Sequence, residues 1–288
     1  MLNGVFAIGF RRLLESQLSE TELDTLINTA IDNGITVMDH ADIYGQYQNE
    51  ELFGRVLKKN KALRNQIQLA TKCGIKIKSP VTPNVTIKHY DYSAKSIIAS
   101  VNQSLQNFGS EFLDVLLIHR PSPLMNVDEI ANTFNKLRIE GKVKRLGVSN
   151  FSTDQFNYLN ERINLVTNQI EFSILHNKPL YDGTLEQMHL FDIRPMAWSP
   201  LAGGKVFQPN TSHENEIIKT INEIAHKYNA SFEQIALAWL LKHPSNVMPI
   251  LGTQNLTRVK TCVLASQINL DIEDWFKILV AINGHSLA

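Results

Sequence analysis

Four polar side chains in the first half of the sequence have the types that protonation of a carbonyl oxygen requires. They are Asp39, Tyr44, Lys72 and His119. A tyrosine hydroxyl has an ordinary pKa of about 10, and a nearby ammonium such as Lys72 would favour its phenolate and move that pKa toward neutrality. Asp39 would hold Lys72 protonated and in place. His119 could hydrogen-bond the oxygen on which negative charge develops as hydride reaches the carbonyl carbon.

Each of these residues also has an ordinary structural explanation. Asp39 could cap a helix, and Tyr44 could pack in a loop. Lys72 could be a solvated charge or a phosphate clamp, and His119 could form hydrogen bonds at a turn. Taken singly, these explanations are better than catalysis. Catalysis is favoured only because the four groups fall at three consecutive strand ends of the predicted fold.

The elements that must position these groups alternate along the chain as strands and helices. Eight apolar runs predict strands at 5–9, 35–38, 67–71, 112–118, 145–148, 165–168, 193–197 and 247–251. Stretches with helical spacing lie between them, for example Leu23, Leu26, Ile27, Ala30 and Ile31. Because no linker or change in composition divides the chain, eight strand-helix units predict one (β/α)8 TIM barrel domain over residues 1–288.

Polar residues three positions apart mark several predicted helix starts. Capping boxes are predicted for Asn126 with Glu129, Ser152 with Gln155, and Ser231 with Gln234, and Ser93 is a further cap. Glycines close three of the predicted helices, at Gly34, Gly109 and Gly141.

Polar or aromatic residues follow almost every predicted strand. Those expected to meet at one mouth of the barrel are Asp39, Lys72, His119, Asn150, Gln169 and Trp198. Two connections, 74–92 and 200–212, are longer than a barrel loop needs. We expect both to form walls of a substrate pocket.

The composition excludes several classes of partner. Lysine and arginine number 28, as do aspartate and glutamate, so the formal net charge is zero and no nucleic acid or anionic membrane surface is expected. The apolar run 235–241 is far shorter than the ~18 residues of a membrane span. The start of the chain lacks a secretory pattern, and its cysteines are Cys73 and Cys262 alone. A cytoplasmic protein without a disulfide framework or a cysteine zinc site is therefore predicted.

The motifs around these residues resemble the aldo-keto reductases. The segment VMDHADIYG at 37–45, with NEELFG at 49–54, matches the motif that carries the family's aspartate and tyrosine five residues apart. ATK at 70–72, LLIHRP at 116–121 and GVSNF at 147–151 resemble its lysine, histidine and cofactor strands. The resemblance implies a monomeric (β/α)8 reductase of a small-molecule carbonyl, which uses NADP(H) without a Rossmann fold.

The resemblance also implies where the cofactor binds. Ser149, Asn150 and Gln169 would hold the nicotinamide carboxamide, and Trp198 would stack on its ring in place of the usual tyrosine. The pyrophosphate would lie along Ser199, Leu201, Gly203 and Lys205. Residues near the adenosine 2′-phosphate would be Gly252, Thr253 and Arg258.

Three features depart from the family's pattern. Gly252 stands where many members have a lysine, so a preference for NADP over NAD rests on Arg258. His40 replaces the Ser or Thr that usually follows the aspartate. The first strand begins only a few residues after Met1, so the usual N-terminal hairpin is expected to be missing.

Two other functions remain open from the residues alone. One is a lyase or aldolase in which Lys72 forms a Schiff base, although Asp39 would oppose this by keeping Lys72 charged. The other is a sensor subunit that binds NADPH with little turnover. Aldehydes, ketones and quinones are all compatible with the four candidate catalytic groups.

Overall fold

The structure of the protein is a computed structural model that describes residues 2–287. Its strands are β1 (Ala7–Gly9), β2 (Val37–Asp39), β3 (Gln68–Cys73), β4 (Ile75–Lys76), β5 (His89–Tyr90), β6 (Leu113–Ile118), β7 (Val143–Ser149), β8 (Leu165–Glu171), β9 (Met196–Trp198) and β10 (Met248–Leu251). Its helices are α1 (Leu13–Ser16), α2 (Glu20–Asp32), α3 (Asn49–Lys59), α4 (Ala94–Phe108), α5 (Val127–Ile139), α6 (Thr153–Asn160), α7 (Thr184–Leu190), α8 (Ser212–Lys227), α9 (Phe232–Leu241), α10 (Leu256–Val263) and α11 (Ile272–Asn283).

Eight strands form a closed parallel barrel in the order β1, β10, β9, β8, β7, β6, β3 and β2. The predicted (β/α)8 fold is therefore confirmed. All eight predicted strands are present, with ends that differ by a few residues. The described chain divides into two compact units, one ending at Gln169 and one beginning at Ile170. That residues 1–288 form a single domain stays a prediction.

The first unit carries a continuous run of parallel strands. Gly9 of β1 pairs with Asp39 of β2, and Asp39 pairs with Ala70 of β3. On the next strand along, β6, Leu117 lies beside Lys72. Because the strands are parallel, the residues that follow their carboxyl ends emerge at one edge of this sheet.

Most predicted helix caps are present, and one is only half right. The boxes at the starts of α6 and α9 form as predicted. The Asn126 side chain caps α5 by accepting hydrogen bonds from two backbone N–H groups, but the Glu129 side chain does not accept one from the backbone N–H of Asn126. The carboxylate of Glu129 instead accepts a hydrogen bond of 2.8 Å from the backbone N–H of Ala94, at the start of α4. A donor on a neighbouring helix thus replaced the local one.

The long connection 74–92 contains a short two-stranded hairpin, β4 and β5. Its β4 and β5 pair in antiparallel fashion, and the backbone N–H of Ile77 donates to the Tyr47 hydroxyl at 3.3 Å. The Tyr92 hydroxyl donates to the carbonyl of Arg120 and accepts from its N–H, at 2.5 and 3.1 Å. Gly74, at φ 105°, makes this possible, since a Cβ there would overlap the Tyr92 ring.

The residues ahead of β1 pack without forming a strand. Within 2–6 the side chains of Leu2 and Phe6 are buried, and the backbone N–H of Asn3 donates to the Gln68 side chain at 2.8 Å. Apolar side chains thus pack ahead of β1.

The second unit has its own aromatic core. Trp239 on α9 and Trp275 on α11 stack with ring centroids 5.2 Å apart. Each indole N–H donates to the backbone carbonyl of the other tryptophan.

Among the helices of the described chain, none has both the length and the apolar run needed to cross a bilayer.

Candidate active site

A buried ion pair links the ends of β2 and β3. The Lys72 ammonium donates to both carboxylate oxygens of Asp39, at 2.8 and 2.9 Å, and the two side chains are only 1% and 5% exposed. The same ammonium donates to the carbonyl of His40 at 2.7 Å. Neither strand alone could place these groups. Their contact follows from the parallel pairing of β2 with β3.

The surroundings of Lys72 keep it positively charged. Burial, the largest single effect, lowers the pKa of Lys72, but the charges and hydrogen bonds of Asp39 and Tyr44 together raise this pKa above its ordinary value. A lysine that attacks a carbonyl to form a Schiff base needs a lowered pKa. This environment has the opposite effect, so it favours an electrostatic role for Lys72.

Tyr44 lies next to the Lys72 ammonium, in the loop that follows β2. Its hydroxyl is 3.4 Å from Lys72 Nζ, which is a long contact for a hydrogen bond. The expected fall in the pKa of Tyr44 is wrong as a net effect. Burial raises this pKa, and the charge of Lys72 lowers it only in part. Tyr44 therefore holds its proton at neutral pH, which is the state that a proton donor requires.

His119 faces the same group from the end of β6. Its ring centroid is 5.9 Å from that of Tyr44, and the two planes are nearly perpendicular at 79°. Burial lowers the pKa of His119 well below its ordinary value, and the charge of Lys72 lowers it further. The imidazole is thus neutral. It can donate one hydrogen bond without adding a second cation.

The predicted carboxamide-binding residues form a connected cluster at the ends of β7 and β8. Asn150 donates to Ser149 Oγ at 2.7 Å, and Ser149 Oγ donates to the backbone carbonyl of Gln169 at 2.9 Å. The Gln169 amide donates to Asp39 Oδ1 at 2.8 Å. This last bond ties the cluster directly to the Asp39–Lys72 pair, a link that the sequence did not indicate.

His40 belongs to the core. Its ring stacks on Phe10 at 4.8 Å, with Phe53 and Phe108 packed against its edges. Burial lowers the pKa of His40 well below its ordinary value, so the ring is neutral. The departure from Ser or Thr thus supports an aromatic cluster, while the backbone carbonyl of His40 still binds Lys72.

Buried polar residues behind the pair escaped the sequence reasoning. The Glu50 carboxylate accepts from Thr71 at 2.6 Å and from Ser104 at 2.9 Å. Asn49 donates to the backbone carbonyls of Phe10 and Arg11, at 2.8 and 2.9 Å. A signal was present for Glu50, which falls on the same face of α3 as the apolar Phe53 and Leu57.

Asp42 completes this buried group. Its side chain is 8% exposed, and it accepts from Ser100 at 2.8 Å through Oδ2, whereas Oδ1 has no partner among the described residues. Burial, and then the charge of Glu50, raise the pKa of Asp42 to about 7.

We expect Asp42→Asn to flatten the pH dependence of stability. Between pH about 4 and 7 the folded protein keeps a proton that unfolded Asp42 has released, so the free energy of unfolding falls as the pH rises, by at most about 4 kcal/mol. Asparagine removes this term. Urea unfolding at pH 5 and pH 8 measures it, with the exposed Asp32→Asn as the control. An unchanged difference between the two pH values would contradict a protonated Asp42.

The predicted phosphate-binding residues all lie in the second unit. Ser199 and Gly203 adopt positive φ angles of 51° and 66° after β9, and the exposed Lys205 follows in a 3-10 helix, Ala202–Phe207. Gly252 and Thr253 precede α10, and the exposed Arg258 lies in its first turn. Leu201 and Trp198 are partly buried. Sequence reasoning missed Gln254, whose amide atoms are buried with no partner among the described residues.

Known proteins resemble this chain over nearly its whole length. The sequence profile of the Aldo/keto reductase family matches residues 3–282. The chain is 43% identical over 284 residues to the uncharacterized oxidoreductase YcsN of Bacillus subtilis, covering 97% of this chain and 94% of that one. It is 37% identical over 276 residues to a 6-dehydroglucose reductase of Agrobacterium fabrum, covering 95% and 92%.

A solved structure shares the fold. An aldo-keto reductase from Klebsiella pneumoniae, in complex with NADPH, superimposes with a TM-score of 0.79 at 23% identity, covering 95% of this chain and 89% of that one. The profile match spans nearly the whole chain, and the relatives are similar over nearly their full lengths. On this evidence the chain belongs to the aldo/keto reductase family and is an oxidoreductase.

Proposed function

We propose that this enzyme reduces an aldehyde or ketone to an alcohol with NADPH. The observation that carries the proposal is the connected arrangement of Asp39, Lys72 and Tyr44, with the neutral His119 beside the tyrosine. A protonated hydroxyl next to a fixed ammonium is suited to give its proton to a developing alkoxide.

Each of the four side chains has a separate task. Tyr44 gives its proton to the carbonyl oxygen, and the ammonium of Lys72 stabilises the phenolate that remains. Asp39 holds Lys72 in place and keeps it charged. His119 donates a hydrogen bond to the carbonyl oxygen and orients it. When bound, NADPH supplies the hydride that the carbonyl carbon receives.

The residues of the second unit have the chemistry that a dinucleotide requires. Lys205 and Arg258 are exposed cations, and the buried amide of Gln254 lacks a partner in the described chain. Gly203 and Gly204 have positive φ angles and open space where a Cβ would lie. We assign Ser199, Leu201, Gly203 and Lys205 to the pyrophosphate, and Gly252, Thr253 and Arg258 to the 2′-phosphate. Ser149, Asn150 and Gln169 hold the carboxamide.

Oxidation of NADPH against a panel of carbonyl compounds tests the proposal. The panel contains aldehydes, ketones, dicarbonyls and the aldehyde of glucose oxidised at carbon 6, since a relative is named 6-dehydroglucose reductase. Turnover with any of them supports the proposal. Tight NADPH binding without turnover would favour a sensor subunit. Trapping of Lys72 by borohydride with a carbonyl compound would favour the Schiff-base alternative.

We expect Arg258→Ala to weaken NADPH binding by about tenfold or more and to change NADH binding little. The guanidinium can pair with the 2′-phosphate that NADH lacks, and one charge-assisted contact of this kind contributes about 1.5–3 kcal/mol. Titration of both cofactors, with the exposed Lys260→Ala on the same helix as the control, measures the effect. Equal affinities of the unmutated protein for the two cofactors would contradict this assignment.

We expect NADPH to quench the fluorescence of Trp198, because we assign its indole to the face of the nicotinamide. Trp239 on α9 and Trp275 on α11 stack on each other and should report little. Titration of Trp198→Phe with NADPH should therefore show most of the quenching lost. Quenching that persists unchanged in this variant would remove Trp198 from the site.

A further inference from the structure

We propose that the natural substrate carries an oxyanion, a carboxylate or a phosphate, which binds to a cationic rim formed by Arg11, Lys88 and Arg120 around Tyr44 and His119. The inference rests on the proposed reduction of a carbonyl. It adds the chemical class of the group that the substrate carries apart from the carbonyl.

The rim residues lie beside the candidate catalytic groups. Arg11 comes two residues after the end of β1, and Arg120 directly follows His119 after β6. Lys88 directly precedes β5 in the hairpin that follows β3. All three therefore leave the carboxyl-end edge of the parallel sheet of the first unit, where Asp39, Tyr44 and Lys72 also lie.

The backbone of the rim is held firmly. Asn49 binds the carbonyl of Arg11 at 2.9 Å, and the Tyr92 hydroxyl bonds both the N–H and the carbonyl of Arg120. Lys88 adjoins the β4–β5 ladder, in which His89 pairs with Lys76. A fixed backbone keeps the charged heads near one place and reduces the entropy that binding must remove.

Two of the rim charges have no partner of their own. The side chains of Arg11 and Lys88 are exposed and form no hydrogen bond or ion pair with the described residues. Burial is the largest cause of the lowered pKa of His119. The positive charges of Lys72 and of the three rim residues lower this pKa further. The three rim charges therefore act on His119 in the same direction as Lys72.

The loops at this edge hold few compensating anions. Cations in the segments 10–12, 74–92 and 119–126 are Arg11, Arg12, Lys76, Lys78, Lys88 and Arg120. The carboxylates of these segments and of 40–48 are Asp42 and Asp91. Asp42 is buried, with its pKa raised to about 7, and Asp91 accepts a hydrogen bond from the N–H of Ser93. Neither neutralises Arg11 or Lys88.

The proposed cofactor does not account for these charges. The residues assigned above to its phosphates, Lys205 and Arg258 among them, belong to other segments of the chain. An oxyanion on the substrate would gain charge-assisted hydrogen bonds from the rim and would be drawn to the site by its field.

Matched pairs of aldehydes test the inference at saturating NADPH and low ionic strength. One pair is 4-oxobutanoate and butanal, and the other is glyceraldehyde 3-phosphate and glyceraldehyde. We expect kcat/KM to be at least about tenfold higher for the anionic member of one pair, and added salt to reduce this ratio. The pair with the larger ratio distinguishes a carboxylate from a phosphate.

Variants connect the ratio to the rim. Arg11→Gln and Lys88→Gln should each lower the ratio of anionic to neutral kcat/KM, and the double variant should bring it close to one. Lys61→Gln, an exposed lysine in the 3-10 helix ahead of β3, is the control and should keep the ratio.

A ratio near one in the unmutated enzyme, or a high ratio that survives in the double variant, would overturn the inference while leaving carbonyl reduction intact. Absence of turnover with both members of both pairs and with the wider panel would overturn the proposed function, and the inference with it.

Discussion

Tyr44→Phe is expected to lower kcat for carbonyl reduction by about a hundredfold or more, because a positioned general acid contributes ~10² to 10⁴ in rate. The substitution keeps the ring and removes only the hydroxyl, which lies 3.4 Å from Lys72 Nζ. Its packing against His119 is retained, so the fold and the binding of NADPH should change little. Steady-state kinetics and a fluorescence titration of NADPH measure the two quantities separately.

The matched control is Tyr158→Phe. Tyr158 is exposed on α6, outside the candidate site, and loses the same atom. Its kcat should stay within about twofold of the unmutated value, as is usual for surface substitutions. A Tyr44→Phe enzyme that reduces aldehydes at nearly the original rate, with NADPH bound, would show that Tyr44 only packs at the mouth.

Lys72→Met should lower kcat by a comparable factor, because the phenolate of Tyr44 would lose the ammonium that stabilises it. The losses from Tyr44→Phe and Lys72→Met should be far from additive, since both act on one proton transfer. The double variant should therefore be about as slow as either single variant. Additive losses would place the two residues in separate steps.

Lys72→Met should also destabilise the fold, because it leaves Asp39 buried without its cation. Breaking a buried ion pair at one partner typically costs about 3–5 kcal/mol. Adding Asp39→Asn removes the stranded charge, and we expect it to restore part of the free energy of unfolding but none of the activity. Urea unfolding and kinetics of both variants distinguish this result from loss of activity through misfolding. Recovery of activity in the double variant would contradict the assigned role of Lys72.

The sequence predicted the barrel because the signals for its strands and helices are local and recur along the chain. Each strand is a short apolar run that ends in a polar residue, and the caps at Ser93, Ser152 and Ser231 lie a few residues from the groups that they bind. Such signals depend on neighbours along the chain. The capping box at Asn126 failed because Glu129 bonds Ala94 on another helix, and a local pattern cannot register that competitor.

Tertiary structure decided the electrostatics of the site. The sequence indicated that Lys72 and Tyr44 would meet, but the direction of the net change in the pKa of Tyr44 depends on how deeply its hydroxyl is buried. The same is true of Asp42, which reads as one more polar loop residue in the sequence. Its raised pKa arises from burial beside Glu50, contributed by another element.

Strand and helix periodicity and motif spacing are properties of the chain, so the amino-acid order was enough to identify the available chemical groups and the strand ends that carry them. The partner of each group depends on how the strands and loops pack in three dimensions. The hydrogen bond from Gln169 to Asp39 joins residues 130 positions apart. Arg11 and Lys88, which lower the pKa of His119 through their charges, lie in two loops other than that of His119. Distances and desolvation set the strength of these interactions, and both arise only when the strands pair and exclude water.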